Sequence, residues 1–577
     1  MADSVLYIAI DFGTAYSGYH VKCNTPGKGS QFRDIQWGEE YGIRSCKTPT
    51  CILFDSAENF VDFGYAAMKK YTSKSCLQAK DGYFFENFKM DLYKNKVIEG
   101  DLQLTTTNGK QMSAIKVFSE SLKYLKNHAL RKIENFSQGT KLQDSDITWV
   151  LTVPAIWTNA AKQFMRDAAT KAGLVTESDP DRLILALEPE AASVYCKQLP
   201  SDGFVGGEGN TMKLEQMPGT QYIVADCGGG TIDITLHEVL DGGALKEVYK
   251  ASGNDLGGQN IDRQLKSFLK EIFGDECWEE YEEQHAPELQ KLMYEFAVAK
   301  CADENDGYNF PCQYNLTELI MKHRKQNVPE LLQGHQGVTW NDGSIDISPA
   351  KFKSFFDESL RGIASVLKEL LKNPELHIKY LVLVGGYALC KILQDYIKGQ
   401  FCKTCKVLCP LHPQQAIMVG AAEFGNQPQI VTSRISTLTY GVKISARFDE
   451  TKHKPEKKYT SSDGEEFCSD LFERLVTKGE SVGCNETRKH SFYPIIRKQT
   501  AMRFRFFSTT RLNADYVDEW GMDEVASLTV PMPDTQGGKD REVSLDLKFG
   551  FTEITATATD LTSKKTARVA INFMREE

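Results

Sequence analysis

The sequence predicts an α/β protein built on a duplicated strand–glycine turn–strand unit and followed by a β-rich C-terminal domain. The first unit, LYIAIDFGTAYSGYHV, spans residues 6–21, and the second, YIVADCGGGTIDITLHEV, spans residues 222–239. In the second unit an apolar run leads into the turn, and the residues after it alternate between apolar and polar, as in a half-buried strand. From about residue 432 to residue 577, helical periodicity gives way to short alternating strands separated by Gly, Asn and Asp turns.

The glycine turns are candidate phosphate sites, because glycine lets backbone N–H groups approach an anion closely. Asp226 stands just before the second turn, where a carboxylate can hold a hydrated divalent cation, and Asp11 occupies the matching position before the first turn. The hydroxyl of Thr231 follows the second turn and can contact a phosphate oxygen. Two such units in one chain indicate an internal duplication that grips phosphate from two sides. An ordinary hairpin without a ligand is the alternative for each unit taken alone.

The composition and net charge argue against several classes of function, among them nucleic-acid binding and membrane association. The chain has 577 residues, which is enough for several domains, and its 68 Lys and Arg against 78 Asp and Glu give a net charge of −10. This balance argues against nucleic-acid or anionic-membrane binding as the main role. The N-terminus has no basic region before its apolar run, and no run of 18 apolar residues occurs, so neither a signal peptide nor a membrane span is expected. The 15 scattered cysteines indicate reduced thiols in the cytoplasm or the nucleus.

Three further junctions place polar or glycine residues at the ends of predicted elements. Glu188 lies between an apolar strand and a helix, where it suits polar chemistry or serves as a first-turn acid favoured by the helix dipole. Gly257-Gly258 offers a close backbone approach before a helix. Gly385-Gly386 lies between a strand and a helix, a junction across which a nucleotide can lie.

Several helices are predicted from periodicity and end signals. Apolar residues recur at helical spacing over residues 112–133. Thr158 or Asn159 caps the next predicted helix, and Gly173 ends it. Ser348-Pro349 starts another helix.

The cysteines near residue 405 raise the question of a metal site. Cys402, Cys405, Cys409 and His412 have the residue types of zinc ligands, but their spacing is shorter than in most zinc sites, and residues 407–408 read as a strand. Buried structural thiols are the main interpretation, and zinc is the alternative.

Taken in order, the motifs resemble those of the 70-kDa heat-shock chaperone family. The matching stretches are residues 11–17, 153–155, 188–192, 226–233, 256–258 and 384–386. Their common order across about 380 residues is far more specific than any single glycine motif. The phrases FGTAYSGY, YFFENFKMDLY and TSRISTLTYGV are most similar to the divergent heat shock 70 kDa protein 12 group.

The resemblance implies an actin/hexokinase-type ATPase fold made of two duplicated ribonuclease-H-like lobes. Lobe I covers about residues 1–220 and lobe II about residues 221–426, with ATP or ADP and Mg²⁺ in the cleft between them. A β-sandwich-like domain for substrates or partners follows at residues 432–577, without a helical lid.

The resemblance also assigns roles to residues of this chain. Asp11 and Asp226 would hold Mg²⁺ through water, and Glu188 would orient the attacking water. The catalytic candidates are thus Glu188, Asp226 and Thr231. The nucleotide-binding candidates are Asp11, Gly13, Thr14, Ala15, Tyr16, Gly228, Gly229, Gly230, Thr231, Gly258, Glu295, Lys300, Gly385, Gly386 and Tyr387.

The chain departs from the family pattern at several positions. Met68 stands where the usual chaperones carry a lysine important for hydrolysis. Lys69 or Lys70 is the candidate substitute, although a shift of one helical residue turns a side chain by about 100°. The adenine-facing Glu-x-x-Lys-Arg pattern is reduced to Glu295 and Lys300, and Tyr387 stands where serine is usual.

The leading hypothesis is an ATP-binding, chaperone-like protein of the stress response. It would hydrolyse ATP to ADP and phosphate weakly with Mg²⁺, and lobe closure would alter its binding of client or signalling proteins, with co-chaperones or exchange factors as further partners. The alternative is a nucleotide-gated scaffold that binds partners without turnover. A small-molecule kinase is a third interpretation, but the C-terminal β domain matches the chaperone layout, and no sugar-binding constellation is evident.

Overall fold

The structure is a computed structural model of the chain. The structure describes residues 6–24, 35–73, 81–94, 102–106, 108–136, 143–176, 179–205, 214–302, 307–484, 486–549 and 554–570. In these ranges, no helix combines the length and the apolar character needed to cross a membrane.

The first part of the chain forms a five-stranded sheet, called here the first sheet, with two smaller sheets and helices around it. The strands are β1 (Leu6–Phe12), β2 (Tyr16–Cys23), β3 (Thr48–Pro49), β4 (Cys51–Phe54), β5 (Phe60–Phe63), β6 (Tyr83–Glu86), β7 (Gln103–Thr105), β8 (Gln111–Ser113), β9 (Ile147–Val153) and β10 (Leu183–Leu187). The helices are α1 (Gly64–Thr72), α2 (Lys89–Lys94), α3 (Ala114–Phe136), α4 (Asn159–Lys171) and α5 (Glu188–Gln198). The order of the first sheet is β10-β9-β1-β2-β3.

Local signals determine where these helices begin and end. The predicted long helix is confirmed as α3, which begins just after the short strand β8. The Thr158 hydroxyl accepts a hydrogen bond from the Ala161 N–H at 3.2 Å and thereby caps α4, as predicted. Gly173 follows α4 with a φ of 74°, which ends the helix.

The second part of the chain repeats this plan in a seven-stranded sheet, called here the second sheet. Its strands and those packed nearby are β11 (Gln221–Cys227), β12 (Ile232–Val239), β13 (Leu245–Asn254), β14 (Tyr308–Pro311), β15 (Val338–Asn341), β16 (Ser344–Ile347), β17 (Ile378–Val384), β18 (Lys406–Leu408) and β19 (Val431–Ile435). The helices are α6 (Gln259–Phe273), α7 (Asp275–Gln284), α8 (Ala286–Ala299), α9 (Tyr314–Arg324), α10 (Val328–Leu331), α11 (Pro349–Ser354), α12 (Asp357–Leu371), α13 (Lys391–Phe401) and α14 (Ala416–Asn426).

The two sheets share one topology. The order β18-β17-β11-β12-β13 of the second sheet repeats the order β10-β9-β1-β2-β3 of the first. In both, the first strand of the glycine hairpin is antiparallel to its partner in the hairpin and parallel to a later strand. This common order agrees with the internal duplication that the two glycine units predict.

The C-terminal part is β-rich, as the sequence predicts. Its strands are β20 (Thr439–Arg447), β21 (Lys458–Thr460), β22 (Glu466–Val476), β23 (Ser481–Gly483), β24 (Thr487–Phe492), β25 (Ala501–Thr509), β26 (Met522–Pro531), β27 (Val543–Phe549), β28 (Ile554–Asp560) and β29 (Thr566–Ala570). Most of them form two sheets, β21-β22-β20-β25-β26 and β24-β27-β28-β29, whose apolar residues share one buried cluster. The finer expectation of a β-sandwich stays a prediction.

The second sheet extends past the expected start of the C-terminal domain at residue 432. Strand β19 pairs in parallel with β13, and β23 pairs with β19 in antiparallel. The reason is physical: β13 would otherwise end the sheet with unpaired backbone groups, and the segment that follows α14 supplies their partners.

Candidate functional site

The turns of the two glycine hairpins lie against each other. A Cβ placed on Gly229 would lie 2.8 Å from Cβ of Ala15, and one placed on Gly230 would lie 2.8 Å from Oγ1 of Thr14. The close approach of the two turns therefore depends on glycine at these positions. Both predicted phosphate turns are thus brought together at one place between the first and second sheets.

The first turn is anchored on both sides. Thr50 donates a hydrogen bond from its hydroxyl to the Gly13 carbonyl at 2.8 Å. Tyr16 follows the turn, and burial raises the pKa of its phenol well above the usual value, with the neighbouring Tyr294 and Tyr65 adding to the rise. Tyr294 belongs to α8, a helix that packs near the second sheet. Tyr16 of the first hairpin therefore lies close to the second half of the molecule.

The second turn is fixed by the start of α6. The Gly258 N–H donates to the Gly228 carbonyl at 3.0 Å, and the Gln259 N–H donates to the Gly229 carbonyl at 2.8 Å. These two amide groups are engaged by the protein backbone. The start of α6 therefore braces the glycine turn.

Four carboxylates are buried beside the turns. Asp11, Glu188, Asp226 and Asp233 are each at most 6% exposed. They come from β1, the first turn of α5, β11 and β12, so both sheets contribute. We call these four residues the acidic cluster. Asp233 was not among the predicted residues; it accepts a hydrogen bond from the Ile156 N–H at 3.0 Å and one from the Thr231 hydroxyl at 3.3 Å.

Two buried lysines reach the acidic cluster. Lys47 Nζ lies 2.6 Å from Oδ2 of Asp11, and Lys89 Nζ lies 2.7 Å from Oε1 of Glu188. Burial acts to lower the pKa of Lys47, but Asp11 outweighs it and the pKa is raised, so this lysine stays charged. Neither lysine was predicted from the sequence, because a lysine outside a motif is typical of a solvated surface. Only the position of Lys89 inside the phrase YFFENFKMDLY offered a signal.

The carboxyls of the cluster raise one another's pKa. Burial raises the pKa of Asp226 well above its usual range, and the nearby Glu188 and Asp233 add to the effect. Burial also raises the pKa of Glu188 to about 7, with Lys89 opposing the rise and Asp11 adding to it. Burial and mutual repulsion thus favour the protonated forms of Asp226 and Glu188, which limits the negative charge of the cluster.

The acidic cluster has the chemistry of a hydrated cation site. Within the described ranges, Oδ1 of Asp226 is buried without a hydrogen-bond partner, an arrangement that calls for an unseen water or ion. The same ranges hold no three His, Cys, Asp or Glu side chains that could ligate a metal directly. Asp11 and Asp226 are of the residue type that binds Mg²⁺, an ion that usually keeps several of its water ligands, so the residues present fit this ion.

Gly385 brings the end of β17 beside Asp226. Its φ is 91°, and a Cβ there would lie 2.5 Å from Oδ1 of Asp226. Both the left-handed backbone and the close approach require glycine. Gly386 is exposed, and a Cβ on it would meet no described atom within 4 Å. The predicted Gly-Gly junction therefore lies at the acidic cluster and has an open side.

The predicted base-binding residues divide into two groups. Lys300 is buried, with Nζ donating to the Gly258 carbonyl at 2.7 Å and lying 2.5 Å from Oδ1 of Asp262. Tyr387 is buried near Gly258 and accepts a hydrogen bond from the Ser359 hydroxyl at 3.3 Å. Glu295, in contrast, lies exposed on α8 and is not brought to this group.

The structure does not bring Lys69 or Lys70 to the acidic cluster. Both side chains are exposed: Lys69 stacks over the Tyr41 ring at 4.5 Å, and Lys70 pairs with Asp62 at 2.7 Å. Met68 packs against apolar clusters. The reason is helix geometry, since α1 turns Lys69 and Lys70 away from the core, which Met68 and Tyr71 face.

The zinc alternative for residues 402–412 is not supported. All four side chains lie in the described ranges, which contain no cluster able to hold a metal. Cys405 and Cys409 are buried thiols, as the main interpretation expected, whereas Cys402 is exposed, and the expectation of a buried thiol was wrong for that residue.

Comparison with known proteins identifies the family. A family profile described as "Hsp70 protein" matches residues 39–305. Heat shock 70 kDa protein 12A from Homo sapiens is 32% identical to the chain, over 99% of the chain and 92% of that protein. The chain belongs to the Hsp70 family. Heat shock 70 kDa protein 12B from Homo sapiens is also 32% identical, over 98% of the chain and 91% of that protein. The resemblance to the heat shock 70 kDa protein 12 group is thereby confirmed.

More distant Hsp70 relatives match part of the chain. A protein named "Chaperone protein HscA homolog" from Acinetobacter baumannii is 23% identical over 57% of the chain and 44% of that protein. Membership of the Hsp70 family implies the actin-like, two-lobed ATPase fold, whose domain binds ATP or ADP, generally with Mg²⁺. The mixed α/β architecture with its two similar sheets agrees with that fold.

The raised pKa of Glu188 predicts a pH dependence of stability. The pKa of its carboxyl is about 7 in the folded protein, against an ordinary value of 4.5, so unfolding releases a proton between these pH values. The free energy of unfolding should therefore fall as the pH rises from about 4.5 to about 7 in nucleotide-free protein. Urea unfolding at several pH values measures this slope, which Glu188→Gln should reduce. The exposed Glu369, changed to Gln, is the control, and an equal slope in all three proteins would contradict the prediction.

Proposed function

We propose that this Hsp70-family protein binds ATP with Mg²⁺ between its two glycine turns and hydrolyses it slowly to ADP and phosphate. The observation that carries the proposal is the acidic cluster, formed by carboxylates from both sheets beside both turns. Phosphoryl transfer depends mainly on positioning and charge neutralisation, and this arrangement supplies groups for both.

Each part of the site receives a role under this proposal. Residues 13–16 and 228–231 line the phosphates, and Asp11 and Asp226 hold Mg²⁺ through water. Bound Mg²⁺ would neutralise charge on the phosphate oxygens. Glu188 orients the attacking water and accepts its proton, for which a pKa of about 7 is well matched. The exposed Gly386 faces the nucleoside.

The proposal extends to the C-terminal part of the chain. We take residues 1–426 as the nucleotide-binding unit, with lobes divided near residue 220, and residues 432–577 as the unit that binds client or signalling proteins. Nucleotide-dependent closure of the lobes would act on the C-terminal unit through β19, the strand that joins both. Co-chaperones or exchange factors, and a cytoplasmic or nuclear setting, remain part of the prediction.

A scaffold that binds ATP without turnover is the second candidate. The observation that favours it is Met68, which packs into apolar clusters where the usual chaperones carry the lysine important for hydrolysis. Binding of ATP would then gate the partner surface without any chemical step.

Calorimetry of ATP binding with and without Mg²⁺, together with phosphate release, tests these proposals. We expect Mg²⁺-dependent binding and slow turnover, and Asp226→Asn should reduce turnover at least about tenfold because it removes the carboxylate charge. Binding without turnover would favour the scaffold, especially if Met68→Lys restored hydrolysis. Absence of binding at millimolar ATP would refute both.

A further inference from the structure

The segment around Lys89 is fastened to the second-sheet side of the site. Gln290 of α8 donates from Nε2 to Oε2 of Glu86 at 2.6 Å, and Gln259 of α6 donates to the Asn87 side chain. Met90 packs so closely on the second turn that a Cβ on Gly230 would lie 2.4 Å from its Sδ. The residues on both sides of Lys89 therefore contact elements of the other half of the molecule.

Lys89 itself is buried at the acidic cluster between two partners. Its side chain is 4% exposed, Nζ lies 2.7 Å from Oε1 of Glu188, and Nζ lies 5.2 Å from the centroid of the Trp157 ring. A lysine is almost never buried to this extent without a partner. The Trp157 ring covers the ammonium on one side, so little side-chain freedom is left to lose when a ligand binds.

The charge balance of the cluster indicates what Lys89 is for. Four buried carboxyl groups lie beside the ammonium groups of Lys47 and Lys89. A triphosphate entering beside the turns adds further negative charge, which only cations at the turns can offset. Both lysines pair with a carboxylate, Lys47 with Asp11 and Lys89 with Glu188, but Lys89 also lies next to Met90, which packs on the second glycine turn.

We propose that Lys89 is the cation that contacts the terminal phosphate of bound ATP and that Glu188 holds it in place until the nucleotide arrives. This inference rests on the proposed function, since it names a further residue of the same site. The proposed phosphate-contacting lysine, Lys89, thus lies after β6, whereas the sequence predicted a lysine of α1, Lys69 or Lys70, for the site.

The affinities of the full-length protein for ATP and ADP, each with Mg²⁺, test the inference whether or not ATP is hydrolysed. Because ADP lacks the terminal phosphate, Lys89→Met should lower ATP affinity about tenfold or more relative to ADP affinity, the size expected for a lost charged hydrogen bond. Lys89→Arg should restore part of the difference. Lys123→Met, which changes an exposed lysine on α3, is the matched control and should leave both affinities unchanged.

Two further variants separate a lost phosphate contact from destabilisation by an unpaired buried charge. Lys89→Met leaves a buried Glu188 without its partner, whereas Lys89→Met combined with Glu188→Gln removes both charges. The double variant should lose the ATP preference as Lys89→Met does, while Glu188→Gln alone should keep most of it. An unchanged ratio of ATP to ADP affinity in both Lys89→Met variants would overturn this inference but leave the proposed function standing. Absence of nucleotide binding in the unaltered protein would overturn the proposed function with it.

Discussion

Replacing Arg434 with alanine should destabilise the protein by about 3–5 kcal/mol, the usual cost of removing one partner of a buried ion pair. Arg434 lies on β19 and donates two hydrogen bonds to Glu190 of α5, from Nε at 2.6 Å and from Nη2 at 2.5 Å. The side chains of Arg434 and Glu190 are 15% and 0% exposed. The neighbouring Glu190 carboxylate raises the pKa of Arg434 against the opposing effect of burial. Without the guanidinium, Glu190 would be left buried as an unpaired charge.

Urea unfolding of Arg434→Ala against the unaltered protein measures this loss. Glu190→Gln combined with Arg434→Met removes both charges together and should cost clearly less than Arg434→Ala alone. The control is Arg447→Ala, because Arg447 pairs with Glu465 at 3.4 Å on the surface, where its side chain is 81% exposed. The prediction is refuted if Arg434→Ala unfolds at the same urea concentration as Arg447→Ala.

The second large effect is expected from Glu188→Gln, which should lower ATP turnover about 100- to 10,000-fold, the range for loss of a general base. Glutamine has nearly the same shape as glutamate but cannot accept a proton. Glu188 is held by Lys89 at 2.7 Å, and its pKa of about 7 lies near working pH. The binding of ATP should persist, because the glycine turns and Asp226 are unchanged.

Phosphate release under saturating ATP and calorimetric ATP binding separate the two effects of Glu188→Gln. Glu369→Gln, on the exposed face of α12, is the matched control and should turn over ATP like the unaltered protein. Equal turnover in Glu188→Gln and Glu369→Gln would remove Glu188 from the proposed chemistry. Loss of binding together with turnover would instead assign it a role in holding the nucleotide.

Helix α5 carries the glutamates on which both of these predictions depend. Glu188 and Glu190 both lie in the first turn of α5, where one faces Lys89 and the other faces Arg434 on β19. A shift of α5 on nucleotide binding would therefore be felt at the strand that leads to the C-terminal sheets. Under the proposed function, Arg434→Ala should therefore weaken the coupling between nucleotide binding and partner binding.

The sequence by itself determined the elements that depend on local chemistry. The glycine turns after Asp11 and Asp226 follow from residues adjacent in the chain, as do the Thr158 cap and the β-rich C-terminal part. Such features need only a period, a turn or a cap, and each is visible within about ten residues. The ordered motifs also carried the family resemblance, which the relatives confirm.

Only the tertiary structure decided which side chains meet. Lys47 and Lys89 read as ordinary surface lysines in the sequence, yet folding buries both against carboxylates distant in the chain, at separations of 36 and 99 residues. Lys69 and Lys70 seemed better placed by sequence, but the turn of α1 directs them to solvent. Long-range ion pairs depend on how sheets and helices pack, and no local pattern encodes that packing. For the same reason, the sequence could not show that β19 completes the second sheet and brings Arg434 to Glu190.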